Sequence, residues 1–268
     1  MARYGIVSDI HGNREALLAA LAFFDRRGAD RIVCLGDMVG LNADPNDCVA
    51  LLRERDAVAV VGRHDLIGID QLGFGRCSST ATHALKRTRR ELTPETAAYL
   101  GSLPTARILD GRVLLVHAGV RGVEQQLVTP RQVRLNAGYL RSDYPALHIC
   151  MFGDAHEQKV YELEGDAVRE LRLGGAVSLR EDRVYFVNPG AVDASRKREH
   201  QLAECALFDS SMLRVEFHRL AYDHALTEAK AAASGYRSER WTDRYYSLRR
   251  RLQGGAAGRA LKGRHSAS

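Results

Sequence analysis

Cysteine is scarce and scattered in this chain: five residues in 268 (Cys34, Cys48, Cys77, Cys150 and Cys205), odd in number and without paired spacing. That argues against a disulfide framework and fits a reducing cytoplasm. Cys34 and Cys150 fall inside apolar runs, where a thiol acts as a small hydrophobe. Long hydrophobic runs are also missing. The longest apolar helical stretch, Ala16 to Phe24, is too short to span a bilayer. The N-terminus enters a strand almost at once, with no pattern of a signal peptide. A cytoplasmic location without membrane association is expected. Internal repeats are absent.

Positive charge is present but unevenly placed. The net charge is +6, yet from residue 235 onward nine arginines and lysines face only Glu239 and Asp243. The basic pI of 9.2 therefore describes a tail and not a domain. Such a tail suits a nucleic acid or another polyanion, but no aromatic platform accompanies its last residues, so a solvated end is preferred. Trp241, Tyr245 and Leu248 are spaced for one helix face. The expected organisation is a domain over residues 1–235, a docked helix over 236–253, and a disordered basic tail over 254–268.

An apolar content of 45% supports a substantial core. The chain opens on a strand from Arg3, followed by Ser8-Asp9-Ile10-His11-Gly12. On an extended segment, residues two apart point to one side, so Asp9 and His11 are expected to aim at one point. Asn13 can cap a helix carrying Leu17, Leu18, Leu21 and Phe24, with Gly28 ending it. Arg31 to Leu35 is a second strand, followed by Gly36-Asp37. Asp44-Pro45 reads as cap and first helical position of the next helix. Ala57 to Val61 is a third strand, ending in Gly62-Arg63-His64-Asp65. This alternation predicts a parallel sheet with right-handed crossovers.

Two helices are predicted within residues 78–101, then a strand over 112–116 leading to His117-Ala118-Gly119. Residues 120–147 read as loop and short helix. A strand over 148–152 ends in Gly153-Asp154-Ala155-His156. Shorter strands follow near 159–163, 168–173, 183–187, 202–208 and 213–219, and suggest a mainly antiparallel second sheet. A helix is expected from about Asp223 to Ser234.

The strand-end turns collect Asp9, His11, Asp37, His64, His117, Asp154 and His156. In open α/β folds the carboxyl ends of strands face one crevice, so these side chains can converge. Mixed carboxylate and imidazole donors suit manganese, iron, zinc or nickel better than magnesium or calcium. A carboxylate can bridge two such ions, as in two-metal hydrolytic sites. One of these residues alone would mean little. Six or seven at successive strand ends, interleaved with glycines, are a poor coincidence.

The order Asp-x-His, Gly-Asp, Gly-x-His-Asp, His-Ala-Gly and Gly-x-x-His resembles the calcineurin-like metallophosphoesterases, especially their small bacterial branch. Gly36-Asp37-Met38-Val39-Gly40, Asp44-Pro45-Asn46 and the Asn188-Pro189-Gly190 turn share the likeness, which spans most of residues 3–222. It implies a four-layer α/β/β/α sandwich of two mixed sheets flanked by helices. It further implies that Asp9, His11 and His156 hold a first divalent transition metal, manganese foremost, that Asp37 bridges, and that His117 serves a second. His64 would assist the leaving group, a metal-bound hydroxide would attack, and Asp65 would support the ligands. A small phosphorylated substrate, phosphomonoester or phosphodiester, with nucleotides among the candidates, is the implied partner.

Two departures fall on the second metal. Arg63 stands where the family has asparagine, and Asp154 where it has histidine. Arginine stays protonated and cannot ligate a cation. Three arrangements are open at this point. Arg63 paired with Asp154 can replace the second ion and clamp phosphate. Arg63 can swing away while Asp37, His117 and Asp154 hold a weaker ion. Or the site is silent and binds a phosphorylated ligand without turnover. A nuclease using the basic tail is the remaining alternative.

Overall fold

The computed structural model describes residues 2–194 and 200–237. β1 (Arg3–Val7), β2 (Arg31–Cys34) and β3 (Val58–Ala59) lie side by side and parallel, joined by α1 (Arg14–Arg26) and α2 (Pro45–Glu54). α3 (Arg63–Gly68), α4 (Ser79–Glu91) and α5 (Pro94–Ser102) follow. The next elements are β4 (Ala106–Leu109), β5 (Val113–Val116), α6 (Pro130–Asp143) and β6 (Ile149–Met151). The rest comprises β7 (Gln158–Glu164), β8 (Ala167–Glu170), β9 (Ala176–Ser178), β10 (Val184–Pro189), β11 (Ala203–Asp209), β12 (Arg214–Leu220) and α7 (His224–Ala233).

Local chemistry explains the helix starts. The Asn13 side chain accepts from Ala16 N at 3.1 Å, and α1 then buries Ala16, Leu17, Ala20, Leu21 and Phe24 at helical spacing. Phe24 seats on Gly5 of β1, where an added Cβ would lie 2.6 Å from the ring. α2 begins at Pro45 as expected, but Asp44 makes no side-chain cap bond and pairs with Lys230 of α7 instead. α6, at 14 residues, is longer than the short helix expected in that region. Its start carries a capping box, Thr129 with Gln132, and Pro130 at the first position.

Two six-stranded sheets result, ordered β3-β2-β1-β11-β12-β9 and β4-β5-β6-β10-β7-β8. The later strands do not form a second sheet of their own. β11 pairs antiparallel with β1, and β10 pairs parallel with β6, so both sheets are mixed. The physical reason is the edge of β1: left unpaired, it would expose a row of backbone donors beside the site, and β11 covers it.

Alternation along the strands builds the layers. Ile6, Val33 and Leu35 face Leu115, Met151, Val160 and Val187 between the sheets. Val7, Ile32 and Cys34 face the other way, under α1 and α2. Leu114, Val116, Cys150 and Phe186 pack beneath Val133, Ala137 and Leu140 of α6. The four-layer α/β/β/α sandwich is therefore the fold. All five cysteines are buried thiols. Beyond its first two residues, the expected helix over 236–253, with Trp241, Tyr245 and Leu248, and the tail over 254–268 lie outside the described residues. Among the described residues no helix is long and apolar enough to cross a membrane.

Candidate metal centre

The loops after β1, β2, β3, β5 and β6 meet at one end of the two sheets. Asp9 and His11 reach their positions by a route the sequence did not suggest. They are not on an extended segment: both have positive φ, 54° and 52°. Asp37, Asp154 and His156 share this left-handed conformation, at 54°, 58° and 56°. Aspartate and histidine tolerate that region better than most side chains, but five cases at one site mark backbone strain held by its surroundings. Those surroundings are visible in the backbone ladder: Asp9 N donates to Gly36 O, His11 N to Asp37 O, and Gly12 N to Met38 O.

Three triads of donor atoms converge, each within 4.8 Å: Asp9, His11 and His156; His11, Asp37 and His64; Asp9, Asp37 and His117. The His156 Nε2 lies 3.2 Å from Asp9 Oδ1 and 3.3 Å from His11 Nε2. The His117 Nε2 lies 3.3 Å from Asp37 Oδ1. His64 stacks beside His11 at 4.7 Å between ring centres, with its Nδ1 3.9 Å from Asp37 Oδ2.

Supporting groups fix the orientation of each donor. Asp9 Oδ2 accepts from Ser8 Oγ at 2.7 Å and from Asp154 N at 3.1 Å, which turns Oδ1 toward the imidazoles. His117 Nδ1 donates to Leu35 O at 2.7 Å, which leaves Nε2 facing Asp37. His11 Nδ1 lies 3.4 Å from Val39 O, with Nε2 on the cluster side. Asp65 accepts from the backbone N–H of Asp37, Val39 and Gly62, tying the loops after β2 and β3 together. Asn188 Nδ2 donates to Gly153 O at 2.8 Å, bracing the turn that carries Asp154 and His156. Glycine is required at position 62, where a Cβ would meet Asp37 N at 2.2 Å.

The electrostatics are those of a site made for positive charge. Burial works against ionisation of Asp9, yet the neighbouring His156 holds its carboxyl below the usual range. Asp37 is likewise held well below its ordinary value, against burial, by His117 and His64. His117 moves well above the ordinary histidine value: burial opposes the charge, and Asp37 more than restores it. Burial and the adjacent Asp37 carboxylate push Asp65 up to about 7, against its Gly62 and Val39 donors. Asp154 is raised by burial, with His117 opposing. Asp9 Oδ1, His117 Nε2 and Asp154 Oδ2 are buried without a hydrogen bond of good geometry. Such orphaned donors, arranged as carboxylate and imidazole around one point, fit a divalent transition cation.

Arg63 departs from the first arrangement expected of it. No ion pair within 4 Å joins it to Asp154; its Nη1 donates toward Cys77 Sγ at 3.7 Å. The cause is helical geometry. Arg63 and His64 are the first two residues of α3, and successive helical side chains diverge by about 100°. With His64 buried at 1% exposure on the cluster, Arg63 must point elsewhere. It lines a cavity of about 220 Å³ with Arg76, Val123, Glu124, Gln126 and Asp154.

The family model of the calcineurin-like phosphoesterase superfamily domain matches residues 2–212. The chain belongs to that superfamily and is a metallophosphoesterase. An uncharacterized protein of Methanocaldococcus jannaschii is 31% identical over 224 residues, 81% of this chain and 87% of its own. The crystal structure of a metallophosphoesterase from Sphaerobacter thermophilus is 31% identical, with a TM-score of 0.71, covering 87% of this chain and 94% of that one. A hypothetical protein from Pyrococcus horikoshii shares the fold at 19% identity, with a TM-score of 0.69, over 91% and 97% of the two chains.

Sequence reasoning missed Ser8, Asn42 and Arg76. Ser8 and Asn42 lie beside recognised motif residues, and that adjacency was the available signal. Arg76 had none. Val123, Glu124 and Gln126, from the loop before α6, line the cavity, whereas Tyr139 and Tyr144 pack against the core that α6 covers.

Proposed function

We propose that the protein hydrolyses a small phosphorylated substrate, phosphomonoester or phosphodiester, with manganese as the preferred ion and iron, zinc or nickel as substitutes. The observation that carries this reading is the convergence of six strand-end side chains, Asp9, His11, Asp37, His64, His117 and His156, in overlapping triads of buried donor atoms. Asp9, His11 and His156 would hold one ion. Asp37 would be shared, and His117 with Asp154 would hold a second. An ion there supplies Lewis acidity, drawing charge from a phosphoryl oxygen and acidifying water.

The remaining work falls to the chain. Ser8, Asn188 and the backbone around Gly36 keep Asp9, Asp37 and His156 in position without reorganisation. His64, with Nδ1 3.9 Å from Asp37 Oδ2, would give its imidazole proton to the leaving oxygen. The low exposure of Asp9, His11, Asp37 and His64 excludes bulk water, which strengthens every charge interaction inside. Substrate would approach from the side of Asp154 and His156, where the His156 side chain keeps 14% exposure. A cytoplasmic setting accords with the buried free thiols.

The test is an assay of the manganese-loaded full chain on p-nitrophenyl phosphate and bis(p-nitrophenyl) phosphate. Turnover abolished in both Asp9→Ala and His64→Ala supports the proposal. Tight manganese binding with no turnover of either compound would favour a silent, ligand-binding member of the superfamily.

A further inference from the structure

We infer that the cavity beside the cluster is a subsite for a second phosphoryl group of the substrate, recognised by Arg63 and Arg76. This rests on the phosphoesterase reading and adds to it a substrate class: compounds carrying a phosphoryl group besides the one attacked.

The cavity adjoins the chemistry directly. Asp154 forms part of its wall, and the Asp154 N–H donates to Asp9 Oδ2 at 3.1 Å. A ligand filling the cavity would therefore meet Asp154, whose backbone is hydrogen-bonded to a member of the cluster. Two guanidinium groups line it, and among the described residues neither has a carboxylate within 4 Å. Elsewhere the chain pairs its arginines readily: Arg53 with Glu95, Arg55 with Asp25, Arg121 with Asp143, and Arg237 with Glu228. Other described arginines also lack an ion pair; what sets Arg63 and Arg76 apart is that both line one cavity together with Asp154.

Both are nevertheless held. Arg76 Nη1 donates to Glu124 O at 2.7 Å, and Arg63 Nη1 donates toward Cys77 Sγ at 3.7 Å. One contact each fixes the forks at the cavity edge, and most of their ten N–H donors stay available. Two planar forks match the oxygens and the double charge of a phosphoryl dianion, whereas a carboxylate would need only one. The acidic groups nearby do not cancel this. Glu124 is exposed and offers Arg76 its carbonyl, not its carboxylate. Asp154 turns one carboxylate oxygen, Oδ2, into the protein, where it is buried. The scissile group itself belongs with His64, from which Arg63 diverges at the start of α3.

The test is calorimetric titration of the manganese-loaded full chain with two inert probes: propylphosphonate, and a bisphosphonate with a propylene chain between its phosphonates. Wild type is expected to bind the bisphosphonate at least about tenfold more tightly, the effect of one added charge-assisted contact. Arg63→Gln and Arg76→Gln should each shrink that preference. Equal affinities in wild type, or a preference that survives in both variants, would overturn the subsite. So would an equal gain by phosphonopropionate, since one guanidinium would then suffice. Failure of the underlying reading looks different: the preference would be present while p-nitrophenyl phosphate is never hydrolysed. Hydrolysis with equal probe affinities is the reverse case and sinks only the subsite.

Discussion

The cluster draws its residues from two sheets, and the two sides are built differently. Asp9, His11, Asp37 and His64, from the first sheet, are all at or below 2% exposure, and Asp65 and Asn42 knit their loops together. From the second sheet, His117 is equally buried, but Asp154 and His156 are only partly covered, and Asp154 borders the cavity. One side is a rigid socket, and the other is the face where substrate and a weaker ion would be accommodated. Position in the fold, not residue type, separates a carboxylate that must stay charged (Asp37) from one raised toward neutrality (Asp154).

If that contrast holds, the largest losses follow substitution on the socket side. Asp37→Asn removes the carboxylate nearest both His117 and His64, and is expected to abolish measurable turnover and lower manganese content, read by metal analysis. Next comes His64→Ala, expected to lower kcat by ~10²- to 10⁴-fold, the range of a lost general acid, while manganese stays bound. Retained turnover in either variant would break the socket assignment.

The substrate-facing side should respond in a graded way. Asp154→Ala is expected to lower manganese stoichiometry from two ions per chain to one, with activity reduced and not abolished. A wild type that never takes up more than one ion would instead mean that His117 and Asp154 do not form a site. The double variant Arg63→Asn, Asp154→His, which restores the family's usual donors, should then hold a second ion.

How much of this was readable beforehand divides along the same line. The socket was legible, because each of its residues sits in a glycine-bearing turn after a short apolar strand, and the strand-end rule places them together. The stereochemical route was not: a two-residue periodicity suggested an extended Asp9-Ile10-His11, and the left-handed turn is imposed by hydrogen bonds from residues 36–38, remote in sequence. The sheet membership of β11 was hidden for a similar reason, since strand pairing is a long-range choice that local alternation does not encode. The fate of Arg63 depended on Gly62 ending β3's loop and starting a six-residue helix too short for periodicity to reveal.

The smallest effect expected reaches the socket from outside the matched family region. Arg237, beyond residue 212, donates to Leu41 O at 2.8 Å and to Asn42 Oδ1 at 2.9 Å, and its charge is paired with Glu228 of α7. Asn42 Nδ2 in turn donates to His11 O at 3.2 Å, and Asn42 N to the same carbonyl at 2.8 Å. Loss of a direct partner of a metal ligand costs ~10- to 100-fold in affinity or activity. Arg237 is one residue further removed and acts on the backbone of His11, so Arg237→Ala should weaken manganese binding by less than about tenfold. Asn42→Ala should cost more than Arg237→Ala, and the double variant little more than Asn42→Ala, because the two act in series. Manganese titrations of the three variants check this order, and additive losses would show that α7 supports the site by another path.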